Sequence, residues 1–282
     1  MSSLSTSPRS LDPYVPGVSV IHSLDPRVKA VLALGLILSA ALAPVKAWPI
    51  YLLLASLSLS AAILSELGVA RVLRRSALAL PFMFAALPLV ATTPGLPVVQ
   101  SALGPWEVCI TSEGLEYFLS IVVKSWISVQ TAVVLVGSTP FPALMAALRA
   151  LRIPRLLVAV SGLMWRYLFV FSDEALRLMR AREARSSVPL RGQAGAHAAL
   201  RSGRGGRSML WRARVTGGMV GNLFLRAFER AGRIHAAMLA RGYDGEVRLG
   251  ALSPVTFQDW AVLGCGLGLL SLLTFVGILF WG

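Results

Sequence analysis

Charge is what this sequence has least of. Only 14% of its 282 residues are charged, against about a quarter in an ordinary soluble domain. Hydrophobic residues make up 56%, more than one water-soluble core of this size can hide. A soluble globule is excluded on that ground. Lysine is scarce: Lys29, Lys46 and Lys124 are the only three. None follows a glycine-rich loop, so Gly203-Arg204-Gly205-Gly206-Arg207-Ser208 is not a Walker A phosphate loop. The two cysteines, Cys109 and Cys265, lie too far apart in sequence to suggest a disulfide framework or a metal motif. His22, His197 and His235 are scattered, so no metal ligand set is expected in this chain. Met1–Ser19 lacks the charged-then-apolar order of a cleavable signal peptide.

Acidic residues are the other shortage. Asp and Glu number 13 against 27 Lys and Arg, for a formal net charge of +14. A chain both this apolar and this basic reads as an integral membrane protein with one strongly positive aqueous face. Nucleic-acid binding is the usual reading of such basicity, but it leaves the apolar excess unexplained, and aromatic interleaving between Ser187 and Arg214 is thin. Anionic lipid contact at the arginines is expected as a consequence of membrane residence.

Charge-free runs place the spans. They are Ala30–Val45, Ala47–Ser65, a proline-kinked run from Ser76 to about Thr93, Leu115–Gly137 around Lys124, and Trp260–Trp281. The third could instead form two short segments between Pro81 and Pro105. Lys124 should face protein or water, not lipid. Pro140–Pro254 differs in kind, with 19 arginines against 6 acidic residues. Leu156–Trp165 is apolar but bracketed by Arg155 and Arg166, and is too short to cross a bilayer. Pro154–Ser186 therefore reads as a long helix along or below the cytoplasmic interface, with Asp173–Arg177 and Glu174–Arg177 as supporting pairs. Ser187–Ser208 reads as a Gly/Arg-rich linker. Leu210–Arg241 reads as a second long helix with Arg226–Glu229 and Glu229–Arg233 pairs, stopped by Gly242.

The expected fold class is an all-α integral membrane protein of about five transmembrane helices with a cytoplasmic coupling domain of about three helices. The boundaries are 1–27 for a cytoplasmic N-terminal segment and 28–138 for a four-helix membrane domain. Residues 139–256 form the Arg-rich cytoplasmic domain and 257–282 the final span. Arg71, Arg74, Arg75 and the Arg-rich block set the inside, and the Lys- and Arg-free stretch Ala91–Gly114 the outside, of the cell membrane. The N-terminus is then cytoplasmic and the C-terminus external.

Two patterns stand out as site candidates. Ala184-Arg185-Ser186 and Ala240-Arg241-Gly242 each end a long helix in Ala-Arg followed by a small residue. Such an end is narrow, exits sharply, and lets a five-donor guanidinium project; a favourable helix dipole explains the same residues without a partner. Asp25-Pro26-Arg27 opens the first span as N-cap, first helical residue and positive flank.

These motifs carry a resemblance. His22 through Lys29, Trp165-Arg166-Tyr167-Leu168-Phe169 leading to Ala184-Arg185-Ser186, and Phe228-Glu229-Arg230 leading to Ala237 through Gly245 resemble the transmembrane T component of energy-coupling factor (ECF) transporters, specifically the cobalt-type CbiQ branch. The resemblance covers roughly residues 20–280. It implies a non-catalytic scaffold linking a substrate-capturing membrane subunit to two ATP-binding cassette ATPases. It also implies that the tips at Arg185 and Arg241 dock into those ATPases. ATP is then bound by the partners and no cofactor by this chain. Cobalt or nickel uptake is the expected task, with an organic micronutrient such as a vitamin as the alternative cargo. A membrane-bound enzyme would have only Lys124, Glu107, Glu113 and Glu116 to work with, and they form no nucleophile–base or paired-carboxylate motif.

Overall fold

The computed structural model describes residues 13–77, 80–88, 90, 93, 97–103, 106–186, 207–245 and 254–281. Side chains of the β-hairpin and of 183–186 lie outside the described set, as do most of the linker Ser187–Ser208, His197 and the side chains of Glu107 and Cys109. The described chain is helical apart from one two-stranded antiparallel hairpin. It divides into two compact units, residues 13–153 with 249–282, and residues 154–248 with the N-terminal twelve.

In the first unit, α1 (Val20–Ser23) is one turn and α2 (Pro26–Leu42) begins at the Asp25 cap. Helix α2 stops at Ala43, whose N–H closes on Ser39 O, because Pro44 cannot continue it. Helix α3 (Trp48–Leu64) starts with proline in its first turn and ends at Ser65, followed by left-handed Glu66 and Gly68. Helix α4 (Val69–Ser76) carries Arg74 and Arg75 in its last turn. Next come short pieces: α5 (Leu80–Met83) and a 3-10 turn at Phe84–Ala86.

The kinked third span expected at 76–93 is therefore not one helix. The chain still climbs alongside the later helix α6 (Ser112–Ser138), from Val72 packed on Val134 to Val90 against Gly114. That is about 30 Å of helix rise, covered in short turns because Pro81 and Pro88 each lack the amide donor a continuous helix needs. The proline-rich loop expected after it contains β1 (Pro97–Leu103) paired with β2 (Trp106–Thr111), Leu103 opposite Trp106. Val98 and Val99 in one strand, and Val108 and Ile110 in the other, favour that pairing over loop.

Helix α6 is capped by Thr111, whose hydroxyl accepts the Gly114 N–H at 3.2 Å. Helix α7 (Phe141–Ala150) packs on α2, so by contact it belongs with the first unit, although its arginines were counted with the basic block. Helix α10 (Phe257–Trp281) runs parallel to α2. A Cβ on Gly266 would stand 2.5 Å from Leu32, and one on Gly277 2.5 Å from Ile50. Leu36, Tyr51, Leu54, Ile127 and Leu270 form the core where α2, α3, α6 and α10 meet.

The second unit consists of α8 (Arg155–Ser186) and α9 (Arg207–Ala240). They run antiparallel, joined by Arg226 donating to Glu174 at 2.7 Å, Arg182 donating to Thr216 at 3.3 Å, and Arg230 over the Tyr167 ring at 5.8 Å. Glu174, expected to pair along its own helix, pairs across to the other helix instead. A guanidinium on a facing helix offers an aligned charged hydrogen bond that an exposed residue one turn away does not. Glu229–Arg233 forms as expected, at 4.0 Å.

Three described helices are long and apolar enough to cross a membrane: Ser112–Ser138, Arg155–Arg182 and Phe257–Trp281. Helices α2 and α3, at 17 residues each, fall a little short of the roughly 20 that span a typical bilayer squarely. The first stretch of α8 qualifies by length and composition although charge placement marked it as interfacial. Arg166, exposed in its middle, is the reason the two criteria part.

Candidate functional site

The Arg241 tip is built by the backbone. Helix α9 closes with Gly242 N–H on Leu239 O and Tyr243 N–H on Met238 O, both 3.0 Å. Gly242 sits at φ 75°. This is a Schellman exit, which satisfies the last carbonyls and turns the chain sharply away. The turn leaves Ala240 and Arg241 exposed at the end of the rod. At the other tip, Ala184, Arg185 and Ser186 are the last three helical residues of α8, and the chain beyond them lies outside the described residues.

The antiparallel pairing puts the two tips at opposite ends of the helix pair. From Tyr167 beside Arg230, α8 runs on to Arg185 and α9 runs the other way to Arg241, a separation on the order of 40 Å by helix rise.

Asp25, Pro26 and Arg27 open α2, with Asp25 buried and the other two half-buried. Asp25 is 7% exposed and its carboxylate accepts the Arg27 N–H at 2.7 Å. Pro26 occupies the first turn of α2. The Arg27 guanidinium lies 3.9 Å from Asp25, and its Nε is buried without a hydrogen-bond partner among the described residues. The neighbouring Lys29 ammonium donates to His22 O at 3.1 Å. His22 Nε2 donates to Val15 O at 3.0 Å, which leaves Nδ1 to accept from the Ser19 hydroxyl at 2.7 Å. Val15 N–H reaches Gly137 O at 3.0 Å, so this segment is tied to the end of α6.

Several groups escaped sequence reasoning. Asp259, 9% exposed, accepts the Asp25 N–H at 3.3 Å across 234 positions of sequence. Lys124 is mid-helix in sequence but sits at the level of the α2–α3 turn. It donates to Ala41 O at 3.4 Å and lies 5.9 Å over the Tyr51 ring, while Tyr51 donates to Pro44 O at 2.7 Å. Ala41 O belongs to the last turn of α2, where carbonyls lack helical partners, so Lys124 caps that end. A crevice of about 420 Å³ opens between α2, α3, α6 and α10; it is almost wholly apolar, with Lys29, Ser58, Thr131 and Ser138 as its polar rim. Among the described residues no group of three or more His, Cys, Asp or Glu is placed to hold a metal ion.

The sequence profile of the family described as cobalt transport protein, CbiQ, matches residues 17–250. The chain belongs to the CbiQ family. It is 27% identical over 195 residues to the cobalt transport protein CbiQ of Rhodobacter capsulatus, 69% of this chain and 72% of that one. It is 26% identical over 245 residues to the energy-coupling factor transporter transmembrane protein EcfT of Lactococcus lactis, 82% of this chain and 83% of the relative. It is 32% identical over 108 residues to the nickel permease LarQ of Lactiplantibacillus plantarum, 38% of this chain and 33% of the relative. As a CbiQ-family chain it is a multi-pass membrane component of a transport system. Both arginine motifs and the Asp25-Pro26-Arg27 segment fall inside the matched range.

Proposed function

We propose that this chain is the T component of an ECF-type ABC transporter that takes up cobalt ions. In this reading two ATP-binding cassette subunits receive the tips at Ala184-Arg185-Ser186 and Ala240-Arg241-Gly242. ATP-driven closure of those subunits moves the α8–α9 rod, and the membrane unit passes the motion to a substrate-capturing membrane subunit. Catalysis belongs to the partners. The observation that carries the reading is the pair of Ala-Arg-small helix ends at opposite ends of one antiparallel rod, in a chain of the CbiQ family. Arginine suits the task because its planar donors engage carboxylates bidentately and stay charged at any physiological pH. The likeness to LarQ supports nickel as a second cargo, and the likeness to EcfT keeps a vitamin cargo in view. The basic side of the membrane, with the N-terminus and residues 139–256, is taken as cytoplasmic, and the C-terminus as external.

Affinity purification in mild detergent tests this. The full chain should bring down an ATPase and a small membrane protein, and metal analysis of the complex should show cobalt or nickel. Arg185→Glu with Arg241→Glu should abolish ATPase capture, since removing one member of a desolvated interfacial charge pair costs about 2 kcal/mol or more. Undiminished capture and uptake in the double variant would sink the assignment.

A further inference from the structure

The last helix is fastened to the first membrane helix through polar atoms that the arginine tips do not use. At the start of α10, Thr256 and Asp259 form a capping box. Asp259 Oδ2 accepts the Thr256 N–H at 3.1 Å and its hydroxyl at 2.6 Å, and Thr256 Oγ1 accepts the Asp259 N–H at 3.4 Å. Oδ1 remains, and it accepts the backbone N–H of Asp25 at 3.3 Å. Asp25 is itself the cap of α2, its carboxylate taken by the Arg27 N–H at 2.7 Å. One chain of hydrogen bonds thus runs from Thr256 through Asp259 and Asp25 to Arg27, linking two helix starts.

The electrostatics favour the same arrangement. Helices α2 and α10 run parallel, with Gly266 against Leu32 and Gly35 against Leu270, so two positive dipole ends lie side by side and would repel. The two buried carboxylates sit between them and offset that repulsion. Beyond Gly245, residues 246–253 lie outside the described set, and the chain re-enters it at Pro254, two residues before Thr256. Asp259, in the first turn of α10, fastens that helix start to another membrane helix.

We infer that Asp259 is a positioning residue that locks the start of α10 to the Asp25 cap, so that displacement of the arginine-tipped rod is handed to α2 through this junction. The inference rests on the proposed T-component role. Thr256 completes the lock by holding the Asp259 carboxylate in the rotamer that reaches Asp25. Asparagine at 259 keeps the shape but turns one acceptor oxygen into an N–H donor, which must face either the Asp25 N–H or the Thr256 N–H.

The test uses the full chain assembled with its ATPases in nanodiscs and carrying Cys109→Ser. With Cys265→Ser as well and Gln258→Cys as the chain's only thiol, at the exposed start of α10 beside Asp259, the maleimide labelling rate is measured with and without a non-hydrolysable ATP analogue. The parent should show a nucleotide-dependent rate. Asp259→Asn should lose that dependence while capturing ATPase and hydrolysing ATP at the parent level, a pattern that weakened folding alone would not give. Thr256→Val should behave likewise, and Thr256→Ser should restore the response, which keeps the test valid if Asp259→Asn folds poorly. A parent rate indifferent to nucleotide, an Asp259→Asn complex that responds like the parent, or a response lost only in proportion to complex recovered would each overturn the inference and leave the T-component role standing. A parent that captures no ATPase at all would overturn both.

Discussion

At Gly242 the backbone enters the left-handed region at φ 75°, and the exposure of Arg241 depends on that one angle. Helix α7 ends with the same pair of bonds, Arg152 N–H on Arg149 O and Ile153 N–H on Leu148 O, yet there Arg152 occupies the left-handed position at φ 67°. A side chain can therefore be forced into the slot at a cost, and β-branching raises it. Gly242→Val should cost about 1–2 kcal/mol at this helix end and weaken ATPase capture more than Gly242→Asn, measured by pull-down at matched expression. The capping role of Asp25 gives a second contrast. Asp25→Ala should lower stability in detergent by about 1 kcal/mol, seen as a fall in Tm, whereas Asp25→Asn should retain most of the cap. The Asp259 contact uses the backbone N–H of Asp25, so it should survive either change.

Among the elements, α8 and α9 share an ion pair whose contribution can be measured by itself. The Glu174–Arg226 pair is short at 2.7 Å but partly exposed on both sides, 32% and 55%, so solvent screening limits it to about 1 kcal/mol or less. A double-mutant cycle with Glu174→Gln and Arg226→Gln should return a coupling energy in that range, shrinking as salt is raised. Such a pair sets the register of the two helices more than it stabilises them. Helix α10 is the opposite case. Its glycines at 266 and 277 admit Leu32 and Ile50 into the space a Cβ would fill. Gly277→Leu should overpack that contact by roughly 1–3 kcal/mol, visible as early loss of monodispersity on heating in detergent.

For the whole molecule, topology is the property to check. Lys46 lies in the α2–α3 turn, and Arg74 ends α4 after the chain has crossed back along α3. Single cysteines at these two positions, in a chain lacking Cys109 and Cys265, should label from opposite sides of a sealed membrane with an impermeant reagent. Position 46 should react from outside and position 74 only after permeabilisation. Same-side labelling would contradict the proposed orientation. The broken climb from Val72 to Val90 fits this topology, since it carries the chain back along the full height of α6 before the hairpin.

Apolar runs, prolines and arginine spacing were sufficient to read the membrane class, the positions of α2, α3, α6 and α10, both long helices of the rod, and the two Ala-Arg-small ends. Each is a local consequence of what a residue can do in its own helix: cap it, break it, or refuse burial. Whether 76–93 formed one helix was not settled by the same means, because Pro81 and Pro88 permit a kink as readily as a break. Strand pairing at 97–111 was hidden by its prolines. The transfer of Glu174 from its own helix to Arg226, the descent of Lys124 to the α2–α3 turn, and the meeting of Asp259 with Asp25 were decided only in three dimensions. They join residues tens to hundreds of positions apart, and such partners are chosen by how helices pack, which no local pattern encodes.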